Sequence, residues 1–315
     1  MRVLVTGANG FVGPWLTAEL AAHGHTVVAT AMVGGIMPHA EHGRLVPADL
    51  TDPSAVDSLL ASAKPHAVVH LAGMSHVPDC WERPAEALEV NTVATTRLFT
   101  SAARHGARRF LMVSSSDVYG IVRPEELPLR ETSPLRPASP YAVTKLSSEM
   151  MLQSLSRTHP LETVIARAFT HTGPGQSTRF VCPSFAEQVA RVADGLAEEV
   201  RHGDLSARRD ILDVRDVVRA YRMLLEAPVA GRIFNICRGE SVPMSVVLAE
   251  LMRLAQVHPE HARLDAARLR PVDLPELRGA PDALREATGW APEIPLEQTL
   301  AELLATFRRA AVAAR

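Results

Sequence analysis

A short β-branched apolar run, Val3 to Val5, breaks at once into Thr6-Gly7-Ala8-Asn9-Gly10-Phe11-Val12-Gly13, and a helix-like stretch from Pro14 to His23 follows without a linker. Few features restrict a fold so tightly. Gly7 permits a tight turn, Gly10 leaves the backbone N–H groups open to an anion, and Gly13 lets a helix close onto the strand. The helix N-terminus adds unpaired donors and partial positive charge at the same place. A glycine turn without a ligand is the plainer alternative, but spacing and context together argue against it. Strand, glycine turn and helix in this order start a βαβ unit.

The same alternation continues through the first two-thirds of the chain. Apolar runs at Thr26 to Thr30, Ala67 to Leu71, Arg109 to Ser114 and Thr163 to Ala166 read as further strands. Helix-like segments at Pro53 to Ala63, Pro84 to His105 and Pro140 to Arg157 are each long enough for a right-handed crossover. The expected fold is therefore α/β, a Rossmann-like doubly wound parallel sheet. From about Phe169 the pattern loosens into turns, with helices near Pro183 to Leu196, Asp216 to Leu225, Pro243 to Leu254 and Leu296 to Arg309. We expect residues 1–168 to form the dinucleotide-binding domain, with segments near 209–238 returning to it, and 169–315 to form mainly a smaller, interleaved substrate lobe.

Composition narrows the function by exclusion. With 47% apolar and 22% charged residues over 315 positions, the chain can bury a large core without metals or disulfides. A net charge of −2 gives no electrostatic footprint for nucleic acid. Cys80, Cys182 and Cys237 are widely spaced, odd in number and without CxxC spacing, so free thiols in a reducing compartment are expected and no metal site is. The opening residues lack the apolar core of a secretory signal, and no apolar run reaches the roughly 18 residues that span a bilayer. The cytoplasm is the expected compartment, with no membrane partner.

Within this frame the glycine turn reads as a dinucleotide site of Gly7, Asn9, Gly10, Phe11, Val12 and Gly13. The end of the second strand normally carries an acid for NAD or an arginine for NADP. Here Ala29 to Gly34 holds neither, so the choice between the two stays open. Asp49 and Leu50, after the next apolar segment, are candidates for the adenine edge, although an Asp there is more often a helix cap. Leu71, Ala72 and Gly73 end a strand with small residues that leave room for a cofactor.

Ser139-Pro140-Tyr141-Ala142-Val143-Thr144-Lys145 reads as a capped helix start with Tyr141 and Lys145 one turn apart on one face. A tyrosine titrates near 10, and a neighbouring cation makes it a usable acid or base. Lys145 is placed to be that cation. Ser114-Ser115-Ser116 ends a central strand at the carboxyl edge, where open α/β sheets bind their ligands, and a serine there can hydrogen-bond a reacting oxygen. YxxxK alone is common by chance. Combined in this order with a strand-end serine and the glycine turn, it is not.

Together these residues resemble the extended short-chain dehydrogenase/reductase family along essentially the whole chain: TGxxGxxG at Thr6, HLAG at His70, Asn91, SSSDVYG from Ser114 and YAVTK from Tyr141. The resemblance implies an NAD(P)H-dependent enzyme in which Ser115, Tyr141 and Lys145 move the proton and Asn91 lies along the cofactor. It also implies a homodimer built from the helices around Pro84 to His105 and Pro140 to Arg157, where Met150, Met151 and Leu155 are candidate contacts. The segments Ala72 to Val77, Arg167 to Gln176, Arg208 to Asp216, Arg270 to Asp273 and Thr288 to Trp290 look like the branch of that family acting on GDP-mannose derivatives. That likeness makes a GDP-sugar the expected substrate and Ser75, His76, Ser115, Thr170, Val181, Arg209 and Arg270 its expected contacts. Two arginines suit a diphosphate through charge-assisted bonds. Thr170 stands where relatives usually have Asn, and Ala94 where a glycine is expected.

Both reductases and 4,6-dehydratases occur in that branch. A 4-ketone reductase needs only a proton donor, a polarising hydroxyl and a hydride donor, whereas a dehydratase needs a further acid/base beside the sugar. Asp117 occupies the position of the dehydratase glutamate, one methylene shorter. The compact length, the Asn9-Gly10-Phe11-Val12-Gly13-Pro14 loop and the missing arginines after the second strand favour reduction of a GDP-4-keto-6-deoxymannose to a GDP-6-deoxyhexose such as GDP-rhamnose. Another epimerase or dehydratase is the alternative. A non-catalytic dinucleotide sensor would be expected to carry degenerate catalytic positions, and none is degenerate.

Overall fold

The structure, a computed structural model, describes residues 1–32, 43–269 and 274–313. Seven parallel strands form the central sheet in the order β3 (Arg44–Leu45), β2 (Thr26–Thr30), β1 (Arg2–Thr6), β4 (Ala67–His70), β5 (Arg109–Ser115), β6 (Glu162–Ala168) and β11 (Ile233–Ile236). The chain runs outward from β1 to β3, then returns beside β1 and runs the other way. That reversal leaves a crevice at the carboxyl ends of β1 and β4, the usual ligand position in a doubly wound sheet.

Residue alternation explains why both faces are covered. In β1, Val3 and Val5 enter one apolar cluster and Leu4 the other, and Val27, Val28 and Ala29 of β2 alternate in the same way. One face is closed by α1 (Val12–Ala22), α8 (Val214–Glu226) and α10 (Asp282–Thr288), through Leu16, Leu20, Val217, Leu224 and Leu284. The other is closed by α2 (Pro53–Ala63), α5 (Ala94–Arg104) and α6 (Pro140–Leu155), through Leu59, Leu60, Leu98, Phe99 and Leu152.

The C-terminal part is interleaved with this unit. Helices α7 (Val181–Ala193), α9 (Met244–Ala255) and α11 (Leu296–Ala313) pack around a separate cluster that includes Phe185, Val189, Leu248, Leu251, Leu300 and Leu303. Between α7 and α9 the chain returns to the sheet as α8 and β11. Short strands complete the lobe: β7 (Thr170–Thr172) pairs with β10 (Ile211–Asp213), β8 (Val200–His202) with β13 (Ala262–Leu264), and β9 (Arg208–Arg209) lies between β12 (Val242–Pro243) and β14 (Glu276–Leu277). This is the α/β, Rossmann-like fold with a smaller interleaved lobe expected from the sequence.

Some expectations need correction. The helix read from Pro84 to His105 is interrupted: α4 (Pro84–Leu88) passes through a π-helical turn, Glu89–Val93, before α5 begins. Such turns often mark functional positions, and this one carries Asn91. Helix α3 (Val77–Glu82) and strand β11 were not expected, because six and four residues are too few to show a period. Leu155 packs, partly buried, against the sheet cluster, whereas Met150 and Met151 are exposed. Val33 and Gly34, like Arg270 to Asp273, lie outside the described residues.

Candidate active site

The glycine turn sits at the switch point. Gly7 adopts a φ of 67°, the Gly10 N–H donates to the Gly7 carbonyl at 3.0 Å, and the Ala8 N–H donates to the Thr30 carbonyl at 3.0 Å, tying the turn to β2. A Cβ on Gly7 would stand 2.7 Å from the Ala72 nitrogen, and one on Gly13 2.3 Å from the Ala8 oxygen. On Gly10 it would meet nothing closer than the Gly7 oxygen at 3.2 Å. The fold thus needs two of the glycines bare, while the third opens onto the crevice. Helix α1 has neither a side-chain cap nor an acidic residue in its first turn, so its leading N–H groups are available to an anion. Asn9 and Gly10 are exposed beside them, and Val12 begins the helix. The Phe11 ring stacks on His171, centroids 6.1 Å apart. This cradle fits a pyrophosphate.

Opposite the turn, Leu71, Ala72 and Gly73 continue β4. The Thr6 hydroxyl accepts from the Ala72 N–H at 3.2 Å and bonds His70 Nδ1 at 2.7 Å, while His70 Nε2 meets the Thr95 hydroxyl at 2.7 Å. Burial, aided by the Lys145 charge, lowers His70 to about 3, so it is a neutral connector. Asp49 is exposed, and its carboxylate accepts from the Thr51 N–H and hydroxyl at 2.8 and 2.7 Å; it closes a local turn, while the cap of α2 is Asp52. The Leu50 carbonyl accepts from Arg97. The Ala48 N–H bonds the Ala31 carbonyl, which keeps this segment at the carboxyl edge beyond β2.

Ser139 caps α6 through the Ala142 N–H at 3.2 Å, with Pro140 in the first turn, and this sets Tyr141 and Lys145 on its inner face. Ser115 closes β5. Its hydroxyl accepts the Asp117 N–H at 3.1 Å and lies near enough to the Tyr141 phenol to act on it. Tyr141, Ser115 and Lys145 are 9%, 9% and 6% exposed, so each is nearly out of water. Burial lifts the phenol well above its usual value; the Asp117 carboxylate adds to the lift and the Ser115 hydroxyl opposes it. Burial also lowers the Lys145 ammonium to about 8, with Glu149 and then Cys80 acting in the other direction. Lys145 Nζ donates to the Val113 carbonyl at 2.9 Å, which anchors the ammonium on the strand.

Asn91 is a clamp. Its Oδ1 accepts the Met74 N–H at 2.7 Å, and its Nδ2 donates to the Met74 carbonyl at 3.1 Å and to the Thr144 hydroxyl at 2.9 Å. Its amide therefore joins the loop after β4 to α6. A Cβ on Gly73 would come within 2.8 Å of Asn91 Oδ1. The Ser148 hydroxyl donates to the Asn91 carbonyl at 2.9 Å, adding a second tie.

The expected substrate contacts are more dispersed. Ser75 is exposed, and His76 precedes α3 with Nδ1 2.9 Å from Asp79. The His76 ring also meets Phe180 edge-on at 5.9 Å, and Arg179 reaches both His76 and Asp79, which brings the residues just before Val181 to this loop. Thr170 starts β7, directly after the end of β6. Arg209 stands on β9 with Nη1 donating to the carbonyls of Arg208 and Leu274 at 2.9 and 2.7 Å. Arg270 lies outside the described residues.

Sequence reasoning missed a buried polar network beneath Ser115, Tyr141 and Lys145. Ser114, Arg167 and Asn235 stand in one row across β5, β6 and β11. Glu149 Oε1 accepts from the Ser114 hydroxyl at 2.5 Å, and Arg167 Nη2 donates to Glu149 Oε2 at 2.7 Å. Arg167 Nη1 reaches the Tyr119 hydroxyl at 3.1 Å, which donates to Asn235 Oδ1 at 2.6 Å. The signal was a charged residue in each of two apolar patterns, four positions after Lys145 and inside β6. Their partnership across the fold carries no spacing that a sequence displays.

Comparison with known proteins adds to this geometry. A family profile described as GDP-mannose 4,6 dehydratase matches residues 4–303. The chain is 38% identical over 97% of both sequences to GDP-6-deoxy-D-mannose reductase of Pseudomonas aeruginosa. It is 28% identical to GDP-mannose 4,6-dehydratase of Yersinia enterocolitica, covering 96% of this chain and 93% of that one. Its structure resembles that of RMD from Pseudomonas aeruginosa complexed with NADPH, with a TM-score of 0.86, 36% identity and coverage of 98% and 99%.

Proposed function

The chain belongs to the GDP-mannose 4,6-dehydratase family, and on that premise we propose that it is an NAD(P)H-dependent reductase of the C4 ketone of GDP-4-keto-6-deoxy-D-mannose, forming a GDP-6-deoxyhexose, GDP-D-rhamnose. What carries the reading is that buried Tyr141 and Lys145, one turn apart on capped α6, meet the end of β5, with Lys145 bonded to the Val113 carbonyl two residues before Ser115, beside a bare glycine turn. When bound, the reduced nicotinamide supplies the hydride. Ser115 hydrogen-bonds the C4 oxygen and Tyr141 gives it a proton. A phenol held protonated by burial is the form that carbonyl reduction consumes, and the nearby Lys145 charge stabilises the phenolate that remains.

Gly7 to Gly13 would hold the pyrophosphate, with Asp49, Leu50, Leu71, Ala72 and Gly73 along the rest of the dinucleotide and Asn91 fixing the loop over it. Ser75, His76, Thr170, Val181, Arg209 and Arg270 are assigned to the GDP-sugar. Residues 1–168, joined again by 209–238, serve the cofactor, and 169–315 mainly the sugar. The bare 29–32 stretch leaves the choice between NAD and NADP open.

A homodimer is part of the same proposal. Leu88, Val93, Val143, Met150 and Met151 are exposed on adjoining helices, a patch of the kind that marks an interface. Among the described residues no helix is long and apolar enough to cross a membrane. The three cysteines are free and buried, and the cytoplasm is the compartment we propose.

One observation favours a second reading: the Asp117 carboxylate acts on Tyr141 from beside Ser115, where a dehydratase would need its additional acid/base. Incubation with the keto-sugar and NADH or NADPH separates the two. Oxidation of the dinucleotide with formation of a GDP-6-deoxyhexose supports the reductase. Conversion of GDP-mannose to the keto-sugar without added reductant, and no oxidation of NAD(P)H, supports the dehydratase.

A further inference from the structure

We infer that Glu149 is a positioning residue: held between Ser114 and Arg167, it keeps the α6 face bearing Tyr141 and Lys145 in register with the strand end bearing Ser115, and it supplies the negative charge behind the lysine. Tyr141, Lys145 and Glu149 follow one another at four-residue steps, so one face of α6 carries phenol, ammonium and carboxylate in line. Glu149 is 1% and Arg167 2% exposed. A carboxylate removed from water in this way is retained only where partners satisfy it, and here they come from two strands of the sheet. Ser114 immediately precedes Ser115, and the 2.5 Å bond from its hydroxyl to Glu149 joins the end of β5 to α6. Arg167 binds Glu149 through Nε at 3.1 Å and Nη2 at 2.7 Å, and its register partners are Ser114 and Asn235. The carboxyl ends of three strands are thereby tied to the helix that bears the candidate proton donor.

The charge arrangement supports the same role. The titratable groups that act on or feel Lys145 are His70 from β4, Cys80 from α3 and Glu149 from α6, while Asp117 and Cys80 act on Tyr141 one turn before it. His70 is neutral, and Cys80 is a buried thiol raised above its usual value. Glu149 is the largest influence that keeps Lys145 charged against the effect of burial.

Lys64 and Lys145 are the two lysines of the chain, and Lys64 is exposed, so carbon-13 labelling of lysine side chains gives one resonance for the buried ammonium. In Glu149→Gln the Lys145 resonance should titrate about one pH unit lower than in the wild-type protein, while NADPH binding followed by fluorescence stays within about threefold. The turnover number should fall about tenfold or more, since small errors in placement of reacting groups cost rate steeply. Ser114→Ala leaves the charge in place. It should leave the Lys145 titration unmoved and still lower turnover, with the KM for the keto-sugar little changed. An unmoved lysine titration in Glu149→Gln overturns the charge role, and wild-type turnover in Ser114→Ala overturns the register role. Should Glu149→Gln fail to fold, the Ser114→Ala kinetics decide. The kinetic arm rests on the proposed reduction: wild-type protein that leaves NADPH unoxidised rejects that reading, and the lysine titration, which needs no turnover, then judges the inference by itself.

Discussion

In the proposed mechanism Tyr141 and Lys145 separate proton transfer from cofactor binding. Tyr141→Phe keeps the ring packed against Cys80 and Ala87 but removes the proton. Turnover should drop about 100-fold or more, with the NADPH dissociation constant within about threefold of wild type, as read by steady-state kinetics and fluorescence titration. Retained turnover would remove Tyr141 from its role. On the proposed mechanism Lys145 sets the pH dependence. Burial takes it from 10.5 to about 8, so the ammonium that stabilises the phenolate is lost as pH rises through about 8. Reductase turnover should fall along that limb, and Lys145→Met should abolish it. The stability effect has the opposite slope: between about 8 and 10.5 the unfolded chain holds a proton that the folded chain lacks, so this group's contribution to stability rises with pH. Ser115, Tyr141 and Lys145 were legible because each sits at a position defined by local structure, a strand end or a capped first turn. Glu149 and Arg167 were not, because a buried ion pair and two exposed charges look alike until the chain is folded.

At the scale of the element, the glycine turn and α1 distinguish what the fold needs from what a ligand needs. Gly7→Ala and Gly13→Ala drive a Cβ into backbone at 2.7 and 2.3 Å, so both should destabilise the protein in thermal unfolding. Gly10→Ala meets only a 3.2 Å neighbour. It should leave the unfolding midpoint within a few degrees of wild type while raising the NADPH dissociation constant about tenfold or more, because the methyl occupies the approach to the backbone donors. Equal affinity would argue against a pyrophosphate there. Glu149→Ala belongs to this scale as well: it leaves the buried Arg167 guanidinium without its carboxylate, holding only the Tyr119 hydroxyl and the Glu131 carbonyl, and should cost about 3–5 kcal/mol in denaturant unfolding. The long elements were readable from periodicity, and α2 runs from Pro53 to Ala63 as its apolar spacing required. The π-helical turn inside the expected Pro84 to His105 helix was not, since the segments on both sides of it are helical and a single turn is too short to show a period of its own.

For the whole molecule, the doubly wound sheet followed from repeated strand and helix patterns, and the interleaving was visible only coarsely. Residues from Val214 to Ile236 rejoin the sheet through α8 and β11, a return decided by packing against α1 and β6 and not by local propensity. The exposed patch on α4, the π-helical turn and α6 should bury itself in a second copy. Light scattering should give a dimer mass for the wild-type protein, and Val143→Glu with Met150→Glu should give a monomer; a monomeric wild type rejects the proposed dimer. The central reading is that this fold delivers a hydride to a sugar carbonyl, and its most direct test follows the hydride itself. NADPH carrying deuterium at the reactive nicotinamide position is incubated with GDP-4-keto-6-deoxymannose, and the nucleotide sugar is examined by NMR. Deuterium at C4 of a GDP-6-deoxyhexose, equal in amount to the NADPH consumed, is the expected result; a sugar free of deuterium and unconsumed NADPH would contradict it.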